Sequence, residues 1–212
     1  MKAMFPALDG FSLSAPQGLV VKRLLDIVLA TAAILFCLPF FLLIPLAILL
    51  DSRGPVVFRQ RRAGAGGEFF GIYKFRSMHV LEDGAHVAQA VKGDARVTRV
   101  GRFLRATSLD ELPQLFNVLS GEMSLVGPRP HALAHDEFYS AHIANYRVRH
   151  LVKPGITGWA QVNGARGATA ELADMQQRID LDVWYVANRS VWLDLCILAR
   201  TPLEVLRQRN AV

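Results

Sequence analysis

The sequence predicts a mainly α-helical fold (α+β) with one small β-hairpin and a membrane-associated helical element. Three observations carry that prediction. Ile27–Leu50 is a run of 24 positions without a charged residue, longer and oilier than a core helix needs. Val56–Phe58 and Phe69–Phe75 are β-branched and aromatic segments on either side of a glycine cluster, the pattern of a hairpin. Leu112, Leu115, Phe116 and Leu119 recur at i, i+3, i+4 and i+7, one face of an amphipathic helix that Gly121 would end.

Composition points the same way. The chain has 212 residues, 52% of them hydrophobic, yet 24 Lys+Arg against 18 Asp+Glu leave a net charge of +6. Mean hydropathy is +0.26. That length suits one domain, or one domain and a membrane element. An oily, basic chain suits anionic lipid headgroups or a phosphorylated substrate. The long apolar run argues against the rival basic-chain function, nucleic-acid binding. Cys37 and Cys196 stand far apart among apolar residues, with neither metal nor disulfide spacing, and read as small core hydrophobes in a reducing compartment.

Residues 1–21 read as irregular and peripheral, with no secretory signal. Residues 22–51 form the apolar element, and residues 52–212 the catalytic domain. As one helix, Ile27–Leu50 would be roughly 36 Å long, enough to cross a bilayer. Pro39 in its middle and Pro45 beyond each remove a helical hydrogen bond and bend the axis. Both flanks are basic, Lys22 and Arg23 before and Arg53, Arg59, Arg61 and Arg62 after, so both ask for the cytoplasmic side. Length favours a transmembrane helix; the break and the flanks favour a helix-break-helix that enters and returns. The residues alone leave both open.

The hairpin follows, studded with arginine, with Lys74 and Arg76 at its end as candidate phosphate ligands. Arg59, Arg61 and Arg62 suit an anionic lipid surface equally well. Glu82 and His86, four apart in a polar segment, read as a solvated face rather than a metal site. Arg99, Arg102 and Arg105 stack at i, i+3 and i+6, a basic ridge leading into the adjacent acids Asp110 and Glu111. Ser108-x-x-Glu111 is a capping box on the plainest reading. With Asp110 as N-cap instead, Pro113 takes the third helical position, where its missing N–H costs nothing. Either start sets both acids at the positive end of a helix, which favours them ionised. Such an Asp can attack phosphorus, and such a Glu can hold a divalent metal.

Residues 131–150 read as one amphipathic helix rich in His; His131 and His135 have half the spacing of a zinc site and no third ligand. Residues 153–167 read as a tight polar loop, with Gln161, Asn163 and Arg166 among backbone-permissive glycines. Helices over Glu171–Asn188 and Val191–Arg207 complete the chain. Trp184, Tyr185 and Trp192 suit either headgroup level or core packing.

Three blocks resemble one family. They are Lys-Phe-Arg-Ser-Met (74–78), Asp-Glu-Leu-Pro-Gln (110–114) with Asn-Val-Leu-Ser-Gly-Glu-Met-Ser-Leu-Val-Gly-Pro-Arg-Pro (117–130), and Lys-Pro-Gly-Ile-Thr-Gly-Trp-Ala-Gln-Val-Asn-Gly-Ala-Arg-Gly (153–167). Their order and content are similar to those of the bacterial sugar transferases, the monotopic polyprenyl-phosphate phosphoglycosyl transferases, over about residues 19–207. The resemblance implies a re-entrant membrane helix broken at Pro39, with interfacial amphipathic helices, on the cytoplasmic face of the bacterial inner membrane. Leu38 stands before Pro39 where the family has Ser. Longer members carry a further N-terminal membrane region, so a short catalytic-core form is expected here.

The resemblance also implies transfer of a sugar-1-phosphate, a hexose being favoured, from a UDP-sugar to undecaprenyl phosphate with release of UMP, the first step of exopolysaccharide or other glycoconjugate synthesis. Asp110 would be the nucleophile, forming a phosphosugar-aspartyl intermediate. Glu111 would hold Mg2+, with Asp182 as a second acid near the metal. Lys74, Arg76, Arg105, Arg129, Gln161 and Arg166 would bind substrate and its phosphates. A homo-oligomer stays open. The rival functions are a non-catalytic membrane scaffold for polysaccharide assembly and a membrane phosphohydrolase using water as acceptor.

Overall fold

The computed structural model describes residues 16–79, 93–167, 169 and 171–207. The Glu82/His86 pair lies outside these. The described chain is mainly helical with two two-stranded sheets, arranged around three apolar clusters.

Helix α1 (Pro16–Phe36) begins six residues before the expected start at Lys22, with Pro16 at the first helical position, where its fixed φ and missing N–H are harmless. Helix α2 (Leu38–Asp51) follows after a break at Cys37, and the two axes bend by 60°. The break falls just before Pro39, which occupies the first turn of α2 instead of lying inside a continuous helix. No single described helix is long and apolar enough to cross a membrane. The bend carries a run of uncovered apolar side chains: Phe36 is 83% exposed, Leu42 70% and Leu50 81%.

Both arms of this pair are pinned to the same body. Near the start of α1, Lys22 donates to Asp194 at 2.6 Å and to the Val126 carbonyl at 3.0 Å. Arg23 donates to the Val118 and Leu119 carbonyls at 2.6 and 2.8 Å. Buried Asp26 accepts from Ser124 and from the Leu125 N–H. The basic flank read as a signal to the membrane is thus spent on intramolecular contacts. At the end of α2, Asp51 accepts from the Val100 N–H at 3.0 Å, and Arg76 donates to the Ser52 and Arg53 carbonyls at 2.5 and 2.9 Å. A cation there suits the negative end of the helix.

Strands β1 (Val57–Ala63) and β2 (Phe69–Phe75) form the expected antiparallel hairpin, with Val57 opposite Phe75 and Ala63 opposite Phe69. The turn between them runs through Gly66 and Gly67, both at positive φ, where a side chain would be strained. β2 buries Phe70 and Ile72 in the main cluster with Ala30 of α1, while Phe75 joins Ile44 and Ile48 of α2 in another. Each large aliphatic side chain so buried contributes roughly 1.5–3 kcal/mol.

Helix α3 (Arg99–Thr107) is capped by Thr98, whose hydroxyl accepts from the Gly101 N–H. A 3-10 turn over Leu109–Glu111 separates it from α4 (Gln114–Ser120), which Gly121 ends in the left-handed conformation as expected. Of the four apolar residues expected to face the core, Leu112, Leu115 and Leu119 do. Phe116 is 45% exposed and packs edge-on against Phe41 of α2.

Strand β3 (Ser124–Val126) pairs in parallel with β4 (Gly155–Thr157), a pairing not expected from the sequence. A Cβ on Gly155 would lie 2.1 Å from the Gly127 nitrogen, so only glycine permits this approach. The expected loop at 153–167 is therefore β4 followed by the short helix α6 (Trp159–Val162). The helix expected over 131–150 is α5 (Leu133–His142) and a separate 3-10 stretch, Tyr146–Leu151. Helix α7 (Leu172–Asn188) is opened by a capping box between Glu171 and Asp174, and α8 (Val191–Arg207) has its expected bounds. Tyr185 is core, donating to Asp194 at 2.7 Å; Trp184 stacks on Trp159; Trp192 is 74% exposed. Cys37 and Cys196 are free and half-buried rather than core residues.

Candidate active site

Asp110 and Glu111 sit on the 3-10 turn between α3 and α4, not in the first turn of a helix. Ser108 is left-handed (φ 59°) and caps nothing with its side chain; it accepts instead from Arg166 at 2.7 Å. The capping box is therefore not formed. Glu111 has better partners: it accepts from Lys74 at 2.9 Å, and both its oxygens accept from Arg129, one of them at 3.0 Å. These bonds join the turn to β2 and to the Gly-Pro-Arg-Pro segment at 127–130.

The two acids have opposite electrostatics. Burial pushes the Asp110 carboxyl up to about 6; the Glu111 charge adds to the rise, against the pull of Lys74, Arg105 and Arg129. The expectation that both positions favour the charged form is thus corrected for Asp110. Burial also works to raise Glu111, but Arg129 and Lys74 outweigh it and hold it well below the usual carboxylate range. Burial lowers the Lys74 ammonium, with Glu111 opposing. The Asp110 carboxylate accepts no hydrogen bond from any described residue.

Asn117, missed by the sequence reading, sets Lys74 in place. Fully buried on α4, it accepts from the Tyr73 N–H at 3.0 Å and donates to the Gly71 carbonyl at 2.8 Å. Its amide locks β2 beside the acidic turn, and Lys74 is the next residue along. As one of several polar residues on an amphipathic helix it gave no local signal.

Next to the turn lies a cavity of about 240 Å3. Glu111, Ser108, Arg166, Gln161 and Glu204 are among its polar lining, and Leu112, Leu115, Ile156 and Ala33 of α1 are among its apolar walls. Gln161 spends its amide nitrogen on the Ile156 carbonyl, leaving a buried Oε1 that accepts from no described residue. Burial lowers the Arg166 guanidinium, with Arg129 adding to it.

Two sequence candidates go elsewhere. Arg76 is buried against the carbonyls at the end of α2, where it holds that helix to the hairpin. Asp182 is buried 3.1 Å from Arg149, where burial raises its carboxyl against that charge; the structure places it as the ion-pair partner of Arg149. His131 bonds to Tyr146, and no group of three His, Cys, Asp or Glu that could hold a metal occurs among the described residues. Arg105 is near enough to act on the Asp110 charge and contacts the Met78 sulfur.

The dyad is compatible with Mg2+. That ion keeps several waters and takes one or two carboxylates together with substrate phosphate oxygens. The dyad offers this: Asp110 oxygens without a hydrogen bond, and a Glu111 whose negative charge is secured. No group of three such ligands occurs among the described residues, so substrate phosphate oxygens would have to complete the shell.

The pattern of the family described as bacterial sugar transferase matches residues 17–208. The chain is 55% identical over 190 residues to a UDP-glucose:undecaprenyl-phosphate glucose-1-phosphate transferase of Caulobacter vibrioides, covering 90% of this chain and 71% of that protein. It is 53% identical over 193 residues to a protein of the same name from Xanthomonas campestris pv. campestris, 91% of this chain but 40% of that one. Against the exopolysaccharide production protein PSS of Rhizobium leguminosarum bv. phaseoli it is 46% identical, over 90% of this chain and 97% of that one. With the three motif blocks joined around one acidic turn, and a match running nearly end to end, the chain belongs to the bacterial sugar transferase family.

Proposed function

We propose that this sugar transferase moves a sugar-1-phosphate from a UDP-sugar to undecaprenyl phosphate, releasing UMP, by way of a phosphosugar ester on Asp110. The observation that carries the reading is the division of labour in the dyad: Glu111 is pinned by two cations while its neighbour Asp110 is buried and unbonded. A carboxylate within reach of the Lys74, Arg105 and Arg129 charges suits nucleophilic attack on phosphorus.

An Asp110 oxygen attacks the β-phosphorus, and the bond from that phosphorus to the bridging oxygen breaks with UMP as leaving group. An oxygen of the lipid phosphate then attacks the same phosphorus and expels the Asp110 carboxylate, giving the sugar diphospholipid. Lys74 and Arg129, and Arg105 and Arg166 around them, offset the charge spreading over the phosphoryl oxygens. Mg2+, held by Glu111 and the substrate pyrophosphate, would neutralise the leaving group. The unpartnered Gln161 Oε1 suits a hydroxyl or N–H donor on the nucleotide-sugar. The relatives' names favour glucose as the sugar, and exopolysaccharide synthesis as the setting.

The assay is UMP release by the full chain, with and without polyprenyl phosphate. Turnover that needs both lipid acceptor and Mg2+ is the expected result. Release with water as acceptor would mean a phosphohydrolase, and no release with any UDP-sugar would mean a scaffold.

We also propose that α1 and α2 enter and leave the bilayer on the cytoplasmic side. The supporting observation is that both arms are bonded to one body, through Lys22 and Asp26 at one end and Asp51 and Arg76 at the other. Anionic lipid suits the basic hairpin. With Cys37 and Cys196 replaced, thiols introduced as Val20→Cys and Glu68→Cys should both react from the cytoplasmic side of inverted vesicles. Labelling from opposite sides would establish a transmembrane helix.

A further inference from the structure

Three successive carbonyls of the Gly-Pro-Arg-Pro segment are each held by a donor from elsewhere. The Gly155 N–H donates to the Pro128 carbonyl at 2.9 Å, Arg149 Nη2 to the Arg129 carbonyl, and Arg62 Nη1 to the Pro130 carbonyl at 3.2 Å. Prolines on both sides of Arg129 have φ fixed by their rings. The peptide that carries Arg129 therefore has very little freedom.

Arg149 is the buried member of this clamp, 2% exposed on the Tyr146–Leu151 stretch. A buried guanidinium is costly unless its charge and its donors are matched; here the charge and both terminal nitrogens are matched, and Nε alone has no partner among the described residues. Asp182 on α7 lies 3.1 Å from Nη2 and Asp136 on α5 lies 4.0 Å from Nη1. Nη1 also donates to the Tyr146 hydroxyl at 3.2 Å and meets His131 Nδ1 at 2.5 Å. The Tyr146 hydroxyl is shared, lying also 2.7 Å from His131 Nδ1. Tyr146 donates its own proton to Asp136 at 2.5 Å and so accepts from Arg149. Burial, and then the Arg149 charge, hold His131 well below its ordinary value, so its ring is neutral, with Nδ1 facing both Arg149 and the Tyr146 hydroxyl. Two helices and two aromatic side chains thus fix a fork whose one remaining contact is the Arg129 carbonyl.

We propose that Arg149 is a positioning residue for the reaction: it orients the Arg129 peptide so that the Arg129 guanidinium faces Glu111 and the phosphoryl group in transfer. The reaction is the one proposed above; the orientation of Arg129 is independent of it. The competing role is a plain ion pair tying α7 to the 3-10 stretch. Lysine separates the two, because it keeps a charge for Asp182 but lacks the planar fork that reaches Arg129 and Tyr146 together.

The test is a double-mutant cycle on the full chain with Arg149→Lys and Arg129→Ala, read as initial rates over a range of UDP-glucose. Arg149→Lys should keep a cooperative thermal transition and lower kcat/KM about tenfold to a hundredfold. In the Arg129→Ala background it should cause no further loss. An equal loss in both backgrounds would overturn the proposal. If the Lys variant does not fold, Tyr146→Phe, which removes one acceptor of Nη1, should show a smaller loss with the same non-additivity, and additive losses there would refute it too. If the wild type releases no UMP, the proposed reaction fails, and the Arg129 Nε–H resonance decides the positioning role by itself. It should be ordered in the wild type and mobile in Arg149→Lys; unchanged order would refute it.

Discussion

Asp110→Asn is expected to abolish turnover and leave the fold intact. Asparagine keeps the size of the side chain and removes the attacking oxygen anion. With labelled UDP-sugar, Mg2+ and no lipid acceptor, the wild type should retain label on the protein, and polyprenyl phosphate should chase that label into lipid. The variant should take up none. Kinetics should be ping-pong, because UMP has to leave before the lipid phosphate can use the same phosphorus. Intersecting initial-rate lines with no label on the wild type would make direct attack by the lipid the better mechanism.

Protonation gives an independent handle on the same residue. Attack needs the charged carboxylate, so formation of the labelled protein should slow as pH falls through about 6. Stability runs the other way. The folded-state value lies above the ordinary 3.8, so the unfolded chain loses this proton first, and the fold loses stability as pH rises from about 4 to about 6. Asp110→Asn escapes that loss. At pH 7 it should be more stable than the wild type by on the order of 3 kcal/mol, with a flatter dependence on pH. Equal stability of the two proteins in urea melts at pH 7 would refute the buried charge.

Glu111→Gln should be the more damaging change to the protein itself. Its carboxylate is the counter-charge of two half-buried cations, Lys74 and Arg129, and leaving them without it costs about 1–3 kcal/mol. Labelling of Asp110 should fall by about 10²-fold or more as Lys74 and Arg129 lose their fixed positions. Adding Lys74→Met to Glu111→Gln removes one stranded cation, so the double variant should regain part of the melting temperature and none of the activity. A single variant as stable as the wild type would mean that the Lys74 and Arg129 pairs contribute nothing to folding.

The parts that were legible in the sequence are those whose cause is local. Alternation and glycines announced the β1–β2 hairpin, Gly121 announced the end of α4, and the bounds of α8 followed from an apolar stripe. What local spacing could not show was competition from distant partners. Ser108 and Glu111 have capping-box spacing, yet Glu111 is drawn to Lys74 and Arg129, 37 and 18 residues away. Arg76 stands in a family motif beside Lys74 but ends against the carbonyls of α2. Parallel pairing of β3 with β4 is set by backbones meeting at Gly127 and Gly155, and three-residue strands have no period to read. Asn117 and Arg149 act by holding other residues still, and a residue of that kind is recognised only by its neighbours in space.

The bonded arms of the α1–α2 pair bear on reach. An enzyme whose acceptor is a lipid has to bring its carboxylate to a phosphate lying at a depth fixed by the bilayer. A domain on a flexible tether would sample many heights and attack from few of them. Here Asp26 and Arg23 tie the entering arm to the segments on either side of Gly121, and Arg76 ties the leaving arm to the strand that carries Lys74. On the proposed topology, anchor and nucleophile form one rigid piece. Their vertical separation is then a constant of the fold, and the lipid phosphate has only to drift sideways to be met.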